Sequence, residues 1–283
     1  MDFTTIRCER EGPLFWITLN RPDKLNAISQ TMVAELNRAL DEGERDEQVR
    51  VILVKGEGRA FSAGFDLEPG AADDLTREEE VAALRKELRD DFDLIMRFWD
   101  SPKPTIAAVH TYCIGAGLEL ALACDLTIAA HDCRFGAPEV LYGSGVVTLL
   151  LPYFCGPKRA KEILLTGADR ISTEQALDWG LVNRAVQEKN LVKRARELAL
   201  DIARNDRLAV QIAKQSINAS MEIGSMRDSL KHALDLVMVL ETTATPASRE
   251  FDEILRTEGV HAALEWREDK LGHHGRVMRH EIG

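Results

Sequence analysis

Apolar positions along this chain switch between the two-residue rhythm of strands and the three-to-four-residue rhythm of helices, and the switching predicts most elements. Phe15 to Leu19 alternates into a strand, stopped by the turn signal Asn20-Arg21-Pro22-Asp23. Ser29 is placed to cap a helix whose apolar face includes Val33, Leu36 and Leu40. Val51 to Val54 is short and wholly apolar, the pattern of a strand covered on both faces. A glycine-rich turn follows from Gly56 to Gly64. A second helix is predicted over Glu78 to Trp99, halted by Ser101-Pro102-Lys103-Pro104. Thr105 to Val109 reads as another buried strand, Gly115 to Cys124 as a helix and Leu126 to Ala130 as the next strand. Such alternation implies an α/β domain with parallel pairing.

Beyond residue 156 the pattern turns helical. Pro157 opens one predicted helix and Gly167 closes it. Ser172 with Gln175 forms a capping box for the next, which closes near Gly180. From Leu191 onward amphipathic helices are expected, with Ala209, Ile212, Ala213 and Ile217 on one face. A boundary near residue 200 divides an expected core, 1–200, from a helical region, 201–283. There is no internal repeat and no low-complexity segment.

Composition narrows the class. The chain has 283 residues, 45% of them hydrophobic, as in ordinary soluble proteins. Its net charge of -11 argues against nucleic acid and anionic membrane as partners. The five cysteines form no close pair and no zinc-ligand spacing, so reduced thiols in a cytoplasmic protein are expected. No apolar run approaches the roughly 20 residues of a membrane span. The mixed-sign stretch from Asp73 to Asp91 reads as a solvated helix face.

Two acids stand out against this background. Glu119 is the only charge in the run from Gly115 to Cys124, and Glu139 follows Phe135-Gly136-Ala137-Pro138 at an expected turn. A carboxylate buried without partners costs several kcal/mol or stays protonated. Two glycine-bearing turns, Gly56 to Asp66 and Tyr112 to Gly117, each follow a buried strand. Backbone N–H groups from two such turns could converge into an oxyanion hole. Taken alone, each turn is compatible with an ordinary tight turn, Glu119 with an acid paired to a buried cation or placed at a subunit contact, and Glu139 with a surface turn. Gly115-Ala116-Gly117 is no dinucleotide fingerprint, and Gly143-Ser144-Gly145 is no nucleophile elbow. His110 and His131 read as packed or hydrogen-bonded side chains, and the spacing calls for no metal.

At these residues the sequence resembles the crotonase superfamily, the enoyl-CoA hydratase/isomerase group. The likeness runs through Asn20 to Ala27, Ala60 to Leu67 and Pro104 to Glu139. It continues through Thr166-Gly167, Ile171-Ser172, Trp179 to Asn183 and Glu258-Gly259-Val260, covering about residues 10 to 270. The resemblance implies a spiral of ββα units with a helical C-terminal region that completes a homotrimer or a dimer of trimers. It implies an acyl-CoA thioester as substrate, with coenzyme A part of that substrate and no other cofactor. By position, the oxyanion hole falls to the N–H groups of Phe65 and Ala116. Glu119 would activate water for attack at C3, and Glu139 would help hold it and exchange the C2 proton. Lys24, Leu25, Ala63, Asp66, Leu67 and Tyr142 fall at coenzyme A or substrate positions.

Three departures stand beside the likeness. Ala116 replaces the usual middle glycine of the second turn, so its methyl must fit. The family's glycine-rich loop after Glu139 is replaced by Leu141 to Thr148, about three residues shorter. Glu68 replaces a residue often basic near the nucleotide. The expected reaction is hydration of a trans-2-enoyl-CoA. The rivals are an isomerase or lyase on a branched, cyclic or aromatic acyl-CoA, and a non-catalytic binding or assembly module of the same fold.

Overall fold

The computed structural model describes residues 3–67, 76–222, 226–243 and 246–270. Glu68 and Asp73 lie outside the described residues. Strand β1 (Ile6–Glu11) pairs antiparallel with β2 (Leu14–Leu19), Cys8 facing Ile17. From β2 the sheet continues in parallel through β3 (Val51–Gly56), β4 (Thr105–Val109), β6 (Leu126–Ala130) and β9 (Arg184–Val186). A smaller sheet joins β5 (Tyr112–Ile114), β7 (Arg134–Gly136) and β8 (Ile171–Ser172). Helices α1 (Gln30–Arg45), α2 (Arg77–Asp100), α3 (Ala116–Ala123), α4 (Leu151–Thr166) and α5 (Thr173–Asp178) connect them. The chain ends in α6 (Leu191–Ala203), α7 (Arg207–Glu222), α8 (Met226–Thr243), α9 (Pro246–Glu258) and α10 (Val260–Lys270). Strand, strand, helix recurs as β1-β2-α1, β4-β5-α3 and β6-β7-α4, the expected repeating unit.

The large sheet is covered twice. Phe15, Ile17, Ile52 and Val54 turn to the side of Leu36 and Leu40 on α1, Phe92 and Phe98 on α2 and Leu118 on α3. Leu14, Trp16, Leu53 and Ile106 turn to Leu191, Ala195 and Ala199 of α6. This is why β2 is buried along its whole length. Burying apolar area at about 25 cal/mol per Å² on both faces is the main force assembling the strands.

Local chemistry sets the ends of the helices. The Ser29 hydroxyl accepts from Met32 N, and Ser172 with Gln175 forms the predicted capping box. The helix expected to open at Pro157 begins earlier, at Leu151, and breaks at Gly156 (φ 74, ψ 162). Proline therefore starts its second part, where no N–H is needed. Glu35 of α1 accepts hydrogen bonds from the N–H and hydroxyl of both Thr4 and Thr5 at 2.6–2.8 Å. Lys214 of α7 is buried and pairs with Asp125 at 2.8 Å, tying that helix to the sheet core. The α7 face of Ala209, Ile212, Ala213 and Ile217 is open to solvent on the single chain. All five cysteines are free thiols. Among the described residues no helix is long and apolar enough to cross a membrane.

Candidate active site

The two turns meet. Ser62 N donates to Tyr112 O and Ile114 N to Ser62 O, 3.1 and 3.0 Å, stitching the first turn alongside β5. Asn26, fully buried, receives Arg21 N on its side-chain oxygen and donates to the carbonyls of Glu57 and Ala60. The first turn is thereby locked to the Asn20 to Ala27 loop. Phe65 is held by a parallel bridge to Ile28, through Ile28 N to Gly64 O and Asp66 N to Ile28 O. A Cβ on Gly64 would lie 3.4 Å from the Ala116 nitrogen, so the turn before Phe65 touches the start of α3. Neither the Phe65 nor the Ala116 N–H donates to a partner among the described residues. The Ala116 methyl is buried in the main core, which answers how an alanine fits there.

Gly115 precedes α3 with φ 55 and ψ -126, backbone that a side chain makes costly. Its Cα also faces Glu139: a Cβ there would stand 2.7 Å from Oε1 of that carboxylate. Glu119 N donates to Gly115 O at 3.0 Å, so Glu119 sits one helical turn beyond the same residue. Its carboxylate is buried and receives Val147 N at 3.1 Å and Thr148 N at 3.0 Å. Burial first, then the neighbouring Glu139 charge, push Glu119 well above the usual carboxylate range, against the bonds from Thr148 and Val147. Part of Glu139 reaches solvent, yet its Oε2 is enclosed and makes no hydrogen bond among the described residues. Burial raises Glu139 to about 7, opposed by its own N–H and by the Arg267 charge. A cavity of about 10 Å³ opens beside Glu119, lined also by Gly115, Leu118, Ala137, Val146 and Thr148. It has room for about one water.

The remaining expected positions are spread more widely. Lys24 and Ala63 are exposed and Leu25 half-buried along one edge, where Ala63 N donates to Leu25 O. Leu67 is half-buried nearby, while the Asp66 carboxylate is held by Arg21 at 2.6 Å. Tyr142 stacks on Phe251 of α9, ring centroids 4.7 Å apart, and Phe251 in turn meets Trp266 of α10 at 5.8 Å. Burial first, then the Glu139 charge, hold the Tyr142 hydroxyl far above its ordinary value. His110 is hydrogen-bonded to Gly58 O at 3.0 Å, as expected of a packed histidine. Ser144 donates to Glu241 of α8. A second cleft, walled by Arg50, Lys103 and Arg207, lies away from these groups, and its Lys103 is engaged by the carbonyls of Gly43 and Asp46.

Sequence reasoning missed Val147 and Thr148, which act through backbone N–H groups and leave no residue signature. It also missed Arg267, one charge among many on a polar helix. The pairing of Ser144 with Glu241, 97 positions apart, had no local signal either.

The chain is similar to known proteins along most of its length. The family model for enoyl-CoA hydratase/isomerase matches residues 9–271. A short-chain-enoyl-CoA hydratase of Clostridium acetobutylicum is 32% identical over 228 residues, 78% of this chain and 84% of that protein. A carnitinyl-CoA dehydratase of Salmonella typhi is 36% identical over 224 residues, 77% of this chain and 82% of that protein. Among solved structures, an enoyl-CoA hydratase/isomerase from Xanthobacter autotrophicus Py2 superposes with a TM-score of 0.90 at 41% identity, covering 96% of this chain and 100% of that one. With the match spanning nearly the whole length, the chain belongs to the enoyl-CoA hydratase/isomerase family.

Proposed function

We propose that this protein catalyses the reversible addition of water across the C2=C3 bond of a trans-2-enoyl-CoA, giving a 3-hydroxyacyl-CoA. The setting of a buried Glu119 and a partly enclosed Glu139 around Gly115, both raised above the usual carboxylate range, supports this reading above all. Two like charges this close cannot both form cheaply, so the pair keeps a proton in reserve near neutral pH. The thioester oxygen would take hydrogen bonds from Phe65 N and Ala116 N, which stabilise the enolate as water attacks. Glu119 would accept the water's proton as its oxygen bonds to C3, with Glu139 helping to hold the water. Glu139 would then deliver its proton to C2, and passage of the new proton from Glu119 to Glu139 would restore the pair, so that H and OH are added in balance. The step is redox-neutral, and coenzyme A enters as part of the substrate. Lys24, Leu25 and Ala63 would lie along it at the exposed edge.

Loss of conjugated-enoyl absorbance with crotonyl-CoA and longer enoyl-CoAs tests the reading. Glu119→Gln and Glu139→Gln should each reduce turnover by about 100-fold or more while melting like the wild type. Exchange of the C2 proton without water addition would instead indicate an isomerase or lyase.

A further inference from the structure

The Glu139 turn is backed by a buried ion pair that no step above uses. Arg267 of α10 meets Asp169 at 3.1 Å, their side chains 14% and 9% exposed. Asp169 stands directly behind the Glu139 strand: a Cβ on Gly136 would collide with the Asp169 Cα at 2.2 Å, and Ala137 N donates to Ala168 O at 2.9 Å. Next to Arg267, Trp266 packs on Phe251, which stacks on Tyr142 at the far end of the same short turn, Glu139–Tyr142. The last two helices therefore back the segment carrying Glu139, α9 through Phe251 on Tyr142 and α10 through Arg267 on Asp169.

We infer that Arg267 is a positioning residue for Glu139: a buried guanidinium, fixed by Asp169, that sets how readily Glu139 releases its proton. This rests on Glu139 being one of the working carboxyl groups. Arginine suits the task because it stays charged when buried and its planar fork keeps a fixed direction toward a carboxylate. Other titratable groups facing this region are Glu119 from α3, Tyr142 on the same turn, Asp169 itself and the more exposed Arg170, whose Nε lies 3.5 Å from the other Asp169 oxygen. Glu241 on α8 and Asp252 on α9 stand one remove away. Arg267 is the cation among them that acts on Glu139. Asp169 does two things that can be separated: it tethers the guanidinium, and it neutralises part of the field reaching Glu139.

The separation supplies the test. The carboxyl signal of Glu139, assigned by its loss in Glu139→Gln, is titrated by 13C NMR beside the pH profile of enoyl-CoA turnover. Arg267→Met should move the Glu139 titration up by about one pH unit, and Arg267→Lys should return most of it. Asp169→Asn, which keeps the cation and removes its counter-charge, should move it down. A role that is only a tether predicts the same direction for Arg267→Met and Asp169→Asn, and that outcome, or no movement, overturns the inference. Should Arg267→Met fail to fold, the downward shift in Asp169→Asn and its absence in the double variant Asp169→Asn/Arg267→Gln still decide. A moving Glu139 signal without turnover would leave Arg267's role standing and remove the hydratase reading. Turnover with an unmoved signal would do the reverse.

Discussion

Gly115 bears three demands at once: a backbone conformation unsuited to side chains, the carbonyl that starts α3, and the wall against which Oε1 of Glu139 rests. A methyl group there would both strain the turn and displace the carboxylate. Gly115→Ala should cost about 1–3 kcal/mol in a thermal melt and reduce enoyl-CoA turnover at least tenfold. Full activity in a folded Gly115→Ala protein would show that Glu139 needs no such wall. Residue by residue, the site was legible where a side chain was out of place. A lone acid in the apolar run after Gly115 pointed to Glu119, and the turn after Phe135 pointed to Glu139. Its supports were not legible. Val147 and Thr148 offer only main-chain donors, which every sequence possesses, and Asp169 meets Arg267 across 98 positions.

Elements follow their caps more faithfully than their hydrophobic pattern. Ser29 and Ser172 begin helices as their side chains dictate, while β1, whose pattern is half polar, could be read as loop until β2 gave it a partner. The segment before β1 is fastened to α1 by Glu35. Burial alone would raise this carboxyl, but hydrogen bonds from Thr5 and Thr4 outweigh it and hold the group at about 2. A folded-state value below the unfolded one stabilises the native state above about pH 4, and the gain disappears as pH falls toward 2. Glu35→Gln should therefore lower stability at neutral pH by about 2–3 kcal/mol and flatten the dependence between pH 4 and 2. Chemical denaturation across that range measures both; an unchanged slope in the variant would mean that the carboxylate contributes nothing there.

At the scale of the whole molecule, the alternation of strands and helices made an α/β sheet with parallel pairing legible, because only crossover helices can return a strand in the same direction. What stayed hidden was the second, three-stranded sheet, whose members are two or three residues long and carry little periodicity. The helical end of the chain was visible as helix, yet its docking was not: α7 buries Lys214 and leaves Ile212 and Ile217 outside. The sheet order has a kinetic corollary. Apart from β1 with β2, joined through Gly12 and Pro13, each neighbouring pair of the large sheet is separated by a long connection, the shortest spanning residues 110–125, that must be brought round before one bond can form. Closing such loops costs entropy in advance of any return, so assembly is a slow search seeded by one hairpin. Pulse-labelling hydrogen exchange during refolding should find amides of Ile6 to Leu19 protected before those of Ile52 to Val54 and Ile106 to Ala108. Simultaneous protection would point instead to a single concerted collapse. On this route the strands next to Glu119 and Glu139 are among the last to find their neighbours, and a nascent chain carries an open sheet edge until they do.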